Sequence, residues 1–297
     1  DRNPKDQLSD ASFWKNADSS TITDICTKND FYTISREYVE SNEGISPLSL
    51  EKGFFADWYE PKFSEYLQTI NHLAIDAINS SHNIISLNNK QKYNFAKLLV
   101  VQWFRLPSIR NDNESSFNEF VPQMMRLFKE GLSKEMNNSD IAKLDISISI
   151  EDKSVYHAKS TFLDEELVDT FASKLCDNIW TFSYSSDGDF YTSDFPITVN
   201  AHINNVRPIC QGLAQYGAEL TYPLSKNLGL TIWDKEYFTD KGKKDLSICI
   251  ATSKEIRAFN VLRYAYAQRQ LFSSKNDFAF IKFASQICPI SLNPFKK

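Results

Sequence analysis

Glycine is scarce in this chain, with eight residues among 297. So few permissive positions argue against a loop-dominated sandwich and against a fold built on glycine-rich nucleotide turns. There is no glycine-rich phosphate loop, no Gly-x-Ser-x-Gly elbow and no His-Glu-x-x-His helix. That removes P-loop ATPases, Rossmann dehydrogenases, α/β-hydrolases and the common zinc hydrolases from the leading readings. A dominant charge sign is missing too. With 33 basic and 38 acidic residues the net charge is -5, which gives no overall pull toward nucleic acid or anionic lipid and leaves only a local groove for the former. The five cysteines (Cys26, Cys176, Cys210, Cys249 and Cys288) are scattered and show no zinc or redox spacing, so free thiols in a reducing cytosol are expected. Nor do His72, His82, His157 and His202 share metal-site spacing; lone histidines of this kind are expected at the surface or satisfied in the core. The longest apolar run, 96–104, is interrupted by Lys97 and Gln102 and falls short of the roughly 20 residues of a membrane span. No basic-then-apolar leader and no starting methionine are visible. The expectation is a cytoplasmic protein without a membrane partner, for which an oligomeric state is left open.

What is present is ample apolar material, 42% hydrophobic and 13% aromatic, ordered as helices first and strands later. A short strand is expected at Phe31–Ile34. Ser49, with Glu51 in the first turn, opens a helix whose apolar positions Phe55, Tyr59, Phe63, Tyr66, Ile70, Leu73 and Ala77 recur at three and four. Asn88 with Gln91 caps a second helix that ends at Pro107 and is apolar on most sides. A third runs through Phe117 to Met136, with Pro122 in its first turn or at a kink, and a fourth spans 163–178. Alternation at Leu144, Ile146, Ile148 and Ile150 predicts a half-buried strand. Trp180–Tyr184 and Phe190–Thr192 around Asp187-Gly188 read as one hairpin, and Glu219–Leu224 with Leu228–Trp233 as another. A strand through Leu246–Ile250 and a last helix capped by Thr252 and Glu255 complete the list. The pattern predicts an α+β fold, a helical first half packed on a largely antiparallel sheet of hairpins, in a single integrated domain 1–297 whose seam, if it has one, is 137–143.

The polar candidates stand where strands end or where apolar helices carry an unexpected polar pair. Gln102 and Arg105 lie three apart on the most apolar helix. Unpaired, such groups cost a few kcal/mol to bury, so they meet a carboxylate or an anionic ligand. Glu60, among Trp58, Tyr59 and Phe63, is the candidate partner of Arg105, or else a general base or metal ligand. Asp194, flanked by Ser193 and Phe195-Pro196, either ends its strand as a turn residue or sits in a site where side chains converge. Ser225 has the same placement after Tyr222-Pro223-Leu224. On the last helix Asn260, Arg263 and Tyr264 form a polar face, either solvated or one wall of the same site. Asp187 and Asp189 flank Gly188 and read as turn residues.

Taken in order, Phe31-Tyr32, Leu50-Glu51, Tyr59-Glu60, Gln102-Trp-Phe-Arg105-Leu-Pro107, Phe190-Tyr-Thr-Ser-Asp194-Phe-Pro196, Tyr222-Pro-Leu-Ser225 and Phe259-Asn260 resemble a bacterial family of unknown function, domain-of-unknown-function family 4238, over about residues 30–275. The chain lacks the His-x-x-Pro-x-x-Tyr-Leu segment with which that family usually opens. The resemblance implies Glu60, Gln102, Arg105, Asp194 and Ser225 as shared positions and names no activity. Two expectations of function follow from the residues. One is a metal-dependent hydrolase of phosphodiesters, nuclease-like and of the type used in phage defence or as a toxin. In it Glu60 and Asp194 hold magnesium or manganese or act as base, and Arg105 stabilises an anionic transition state, with Gln102, Ser193, Ser225 and Asn260 alongside. The other is a non-catalytic interaction or sensing module in which these same residues form a structural network.

Overall fold

Side-chain caps open several helices of this protein, whose computed structural model describes residues 31–136, 144, 146–187, 189–203, 212–239, 242–268, 270–275, 278–281 and 283. The chain divides into two compact units. The first contains residues 60–100 and the described residues from 169 on, and the second contains 31–59 and 101–168. The predicted seam at 137–143 lies outside the described residues. No helix among them is long and apolar enough to cross a membrane.

In the second unit, α1 (Arg36–Ser41) is followed by a π-helix (Ser49–Tyr59), α4 (Pro107–Glu135) and α5 (Lys153–Lys159), with α2 (Glu60–Asn79) and α3 (Asn89–Phe104) between them in the chain. The helix predicted from Ser49 is present, but its first eleven residues are π-helical. Its buried residues Leu50, Phe55 and Tyr59 are spaced five and four apart, a spacing that i→i+5 bonding keeps on one side better than i→i+4 does. A cluster of Tyr32, Phe55 and Phe162 with His157 forms this unit's core. Phe31–Ile34 is not a strand; Tyr32 N–H donates to Glu51 (3.1 Å) and Ile34 N–H to Pro47 (2.9 Å). The strand predicted at 144–150 is absent among its described residues too, and Leu144, Ile146 and Ile148 are exposed. Alternation alone makes no strand where no neighbour offers a ladder. Pro107 occupies the first turn of α4, while Pro122 lies in its interior.

In the first unit, reciprocal bonds between Asn88 and Gln91 cap α3. The elements that follow are α6 (Glu165–Asp177), β1 (Ile179–Tyr184), β2 (Thr192–Ser193), β3 (Thr198–Ala201), β4 (Ala218–Pro223), β5 (Leu228–Trp233), α7 (Lys235–Phe238), β6 (Ser247–Ile250), α8 (Ser253–Tyr266) and β7 (Leu271–Phe272). The main sheet has the order β3-β4-β5-β1-β6, antiparallel except for β1 with β6. The architecture is α+β with a mostly antiparallel sheet. The β4–β5 hairpin forms as predicted, but β1 pairs with β5 and β6 instead of with 190–192. Phe190 N–H donates to Lys226 and Tyr191 N–H to Asn260, so that segment spends its donors elsewhere. Each strand alternates: Trp180, Phe182, Leu220, Leu230 and Ile232 are buried on one face. There Leu99 of α3 and Leu175 of α6 meet Leu220, Leu230 and Ile232, and the Phe95 ring stands 6.0 Å from Trp180. Burying such side chains contributes about 1.5–3 kcal/mol each.

The other face of the sheet is polar. Its central row is in register across all five strands: Thr198 opposes Thr221, Thr221 opposes Thr231, Thr231 opposes Thr181, and Thr181 opposes Ser247. At one end α8 packs onto this face through Gly229. A β-carbon there would meet Phe190 and Phe259 at 3.1 Å, so glycine lets this edge-to-face ring pair rest on the strand.

Candidate functional site

Asp194 follows β2 directly. Its Oδ1 accepts from Gln268 N–H (2.9 Å) and its own N–H donates to Gln270 O (3.2 Å). The carboxylate thereby holds the chain leaving α8 against β2. Ser193, buried, closes a local turn: its hydroxyl donates to Phe195 O (2.9 Å) and accepts from Phe195 N–H (3.1 Å). Asn260 is buried as well, accepting from Tyr191 N–H (2.9 Å) and donating to Asp189 O (2.8 Å). Ser225 donates to Asn71 Oδ1 (2.8 Å) and accepts from Asn227 N–H (3.3 Å). Glu60 is the exposed first residue of α2. These five belong to the first unit, whereas Gln102 and Arg105 belong to the second. Gln102 accepts from the Tyr59 hydroxyl (2.9 Å). The Arg105 guanidinium lies 4.6 Å from the centre of the Phe55 ring, and its carbonyl accepts from the Tyr32 hydroxyl (3.0 Å). Among the described residues no three or more His, Cys, Asp or Glu side chains are grouped to hold a metal ion.

The solvated reading of the last helix does not hold at Asn260 and Arg263, which are buried. Arg263 is fully enclosed and donates to Pro196 O, Thr198 Oγ1 (2.8 Å), Thr221 O (2.8 Å) and Thr221 Oγ1. Every one of these acceptors is neutral. Burial lowers its pKa to about 9, against the opposing pull of Tyr266, Tyr222 and Glu219. Two polar residues on an amphipathic stripe look solvated until distant backbone groups turn out to need them.

Sequence reasoning missed a cleft with room for a ligand. The open part of the polar sheet face forms a cleft of ≈ 550 Å³, within the roughly 300–1,000 Å³ usual for small-molecule sites. Thr181, Thr221, Thr231 and Ser247 give it a hydroxyl floor, with Glu219 and Trp233 on one side and Ser183 and Cys249 on the other. Lys243 and Lys244 stand at its rim, and Phe259 with Leu262 of α8 forms a wall. The Trp233 indole donates to Thr181 Oγ1 (2.7 Å), and Lys243 Nζ lies 3.9 Å over its ring. Glu219 is bonded to His202 Nε2 (2.6 Å), and Glu255 caps α8 through Thr252 N–H and Oγ1 (both 2.8 Å). Cys249 is a free, exposed thiol whose pKa partial desolvation and Glu255 push up. A threonine or serine in each strand was visible in the sequence, but nothing local aligned them into a row.

A family model described as "Protein of unknown function (DUF4238)" matches residues 11–277, and the chain belongs to that family. No curated protein matches the chain. No solved structure matches it.

Proposed function

We propose that this member of a family of unknown function is a non-catalytic sensing or binding module whose small-molecule ligand sits in the cleft over the polar sheet face. The observation that carries the reading is the in-register row Thr198–Thr221–Thr231–Thr181–Ser247, whose last four members line the cleft. A sheet face exposed to bulk water has no need of an aligned hydroxyl floor walled by aromatic rings, whereas a polar ligand does. The second support is the use the fold makes of the polar candidates. Asp194, Ser193, Asn260 and Ser225 bond backbone or side-chain groups of their own unit and tie its loops together. A cytoplasmic address belongs to the same proposal, and the free thiols Cys176 and Cys249 agree with it.

The test is equilibrium dialysis of the full chain against a small-molecule extract, read by mass spectrometry, for wild type and for Ser247→Trp, which fills the cleft floor. A compound retained by wild type and lost from the variant is expected. The competing metal-dependent hydrolase predicts something else: magnesium or manganese raises the melting temperature of wild type, EDTA reverses it, and Asp194→Asn abolishes both that response and any phosphodiester cleavage. That outcome with an empty cleft overturns the proposal.

A further inference from the structure

We infer that the ligand of this cleft is a phosphorylated sugar, either free or as part of a nucleotide; the inference rests on the binding reading above. The proton count at one end of the hydroxyl row is the first support. Arg263 Nη2 shares its two N–H among Thr198 Oγ1, Thr221 Oγ1 and Thr221 O, and the two hydroxyl oxygens are 2.7 Å apart. One hydroxyl proton is spent on the bond between them, so one remains. Thr198 is wholly buried and has no further acceptor among the described residues. The pair is satisfied when Thr198 donates to Thr221 and Thr221, 2% exposed at the cleft floor, keeps its own O–H for a group seated against it. The cleft floor therefore presents a donor polarised by a guanidinium behind it, and that guanidinium has only neutral partners. This favours an acceptor, best an anionic one.

The charges facing the cleft point the same way. The cleft is lined by two cations, Lys243 and Lys244, and two carboxylates, Glu219 and Glu255, while Arg263 is enclosed behind Thr221 without lining it. Both carboxylates are already bonded, Glu219 to His202 and Glu255 to Thr252. Among the described residues neither lysine is in an ion pair. Two lysines on a short rim segment suit a dianion, which they can approach without giving up a carboxylate. Further along the row Thr231 and Ser247 make no side-chain hydrogen bond among the described residues, and each hydroxyl both donates and accepts. Vicinal sugar hydroxyls need that same dual capacity, and Trp233, whose ring carries the Lys243 ammonium at 3.9 Å, edges the row.

The experiment is isothermal titration of the full chain with ribose 5-phosphate, adenosine 5′-monophosphate, adenosine and inorganic phosphate, at low and high salt. Phosphorylated sugars are expected to bind, more weakly at high salt, and to outbind adenosine and phosphate alone. Ribose 5-phosphate as the tighter of the two assigns a free sugar phosphate; the monophosphate as the tighter assigns a nucleotide. Lys243→Ala with Lys244→Ala should weaken binding at least about tenfold, the loss expected from one or two charge-assisted bonds. Thr231→Val, which keeps the shape, should weaken it with no change in salt dependence. Equal binding of adenosine and its monophosphate overturns the inference. So does binding that persists in the double lysine variant. If no phosphorylated sugar binds while dialysis still loads the cleft with a neutral compound, this inference fails and the binding module stands. If dialysis also returns an empty cleft, both fail.

Discussion

Acid should destabilise the second unit through His157. The imidazole is 1% exposed, with Nε2 2.8 Å from Phe104 O and Nδ1 buried without a hydrogen-bond partner. The Tyr32 and Phe162 rings pack around it. Protonation would add a charge and a second N–H with no acceptor. Burial above all, with Arg110 nearby, lowers the pKa from 6.5 to about 4, while the bond to Phe104 opposes the shift. The unfolded chain therefore takes up this proton first as pH falls. The stability involved is fully present above about pH 6.5 and is lost as pH drops through about 4. The gap of about 2.5 pH units, at 1.36 kcal/mol each, is worth about 3 kcal/mol, most of it gone by about pH 4.5. That is a large share of a typical net stability of roughly 5–15 kcal/mol. His157→Gln keeps an N–H for Phe104 O and cannot titrate. Urea unfolding at neutral pH and near pH 4.5 should show wild type losing about 2.5 kcal/mol more than the variant. Resonances of the folded imidazole, followed by NMR, should stay those of the neutral ring until well below pH 6. Titration near 6.5 in the folded protein would refute the reasoning from burial.

Three further outcomes test the packing of the first unit. Thr252→Ala removes the acceptor for Glu255 N–H at the start of α8 and should cost about 1 kcal/mol by chemical denaturation, with Thr252→Ser recovering most of it. Lys92 is buried, with Nζ 2.8 Å from Asn178 O and 2.9 Å from both Asp245 oxygens. Because the Asp245 side chain is 47% exposed, Lys92→Met should cost about 2 kcal/mol, below the 3–5 of a fully enclosed pair, and adding Asp245→Asn should restore part of the melting temperature. Gly217 has φ +74, and a β-carbon there would lie 2.8 Å from Ile203. Gly217→Ala should therefore cost more than about 1 kcal/mol, against near-neutrality for Gly53→Ala, where nothing stands within 4 Å.

Features set by neighbours in the chain are legible in the amino-acid sequence. The capping boxes at Asn88/Gln91 and Thr252/Glu255 are four-residue patterns, and both form. The β4–β5 hairpin is joined by four residues and its pairing needs no distant partner. Errors enter where a partner has to be chosen. Trp180–Tyr184 and Phe190–Thr192 have a turn between them, yet Leu228–Trp233 offers β1 six paired positions and a matching apolar face, and the longer ladder wins. The 3.6-residue stripe reads straight through Tyr59, because spacings of four and five are hard to tell apart over eleven residues.

The candidate site is harder for the same reason at longer range. Asn260 and Arg263 look like solvent-facing polar residues on a helix, and only the distant backbone groups they bond, Tyr191 N–H, Asp189 O, Pro196 O and Thr221 O, explain their burial. The hydroxyl row is the extreme case. Thr181, Thr221, Thr231 and Ser247 are each an unremarked polar position on an alternating strand, and threonine is a common strand residue. Slipping any one strand by a single residue would replace its hydroxyl in the row with a neighbour such as Trp180, Phe182, Leu220, Tyr222, Leu230, Ile232 or Ile248, every one of them now buried. The burial of those side chains is what holds the register. The apolar face of the sheet thus positions the polar one, and the core-facing residues belong to the construction of the cleft although none of Trp180, Leu220, Leu230 and Ile232 touches it.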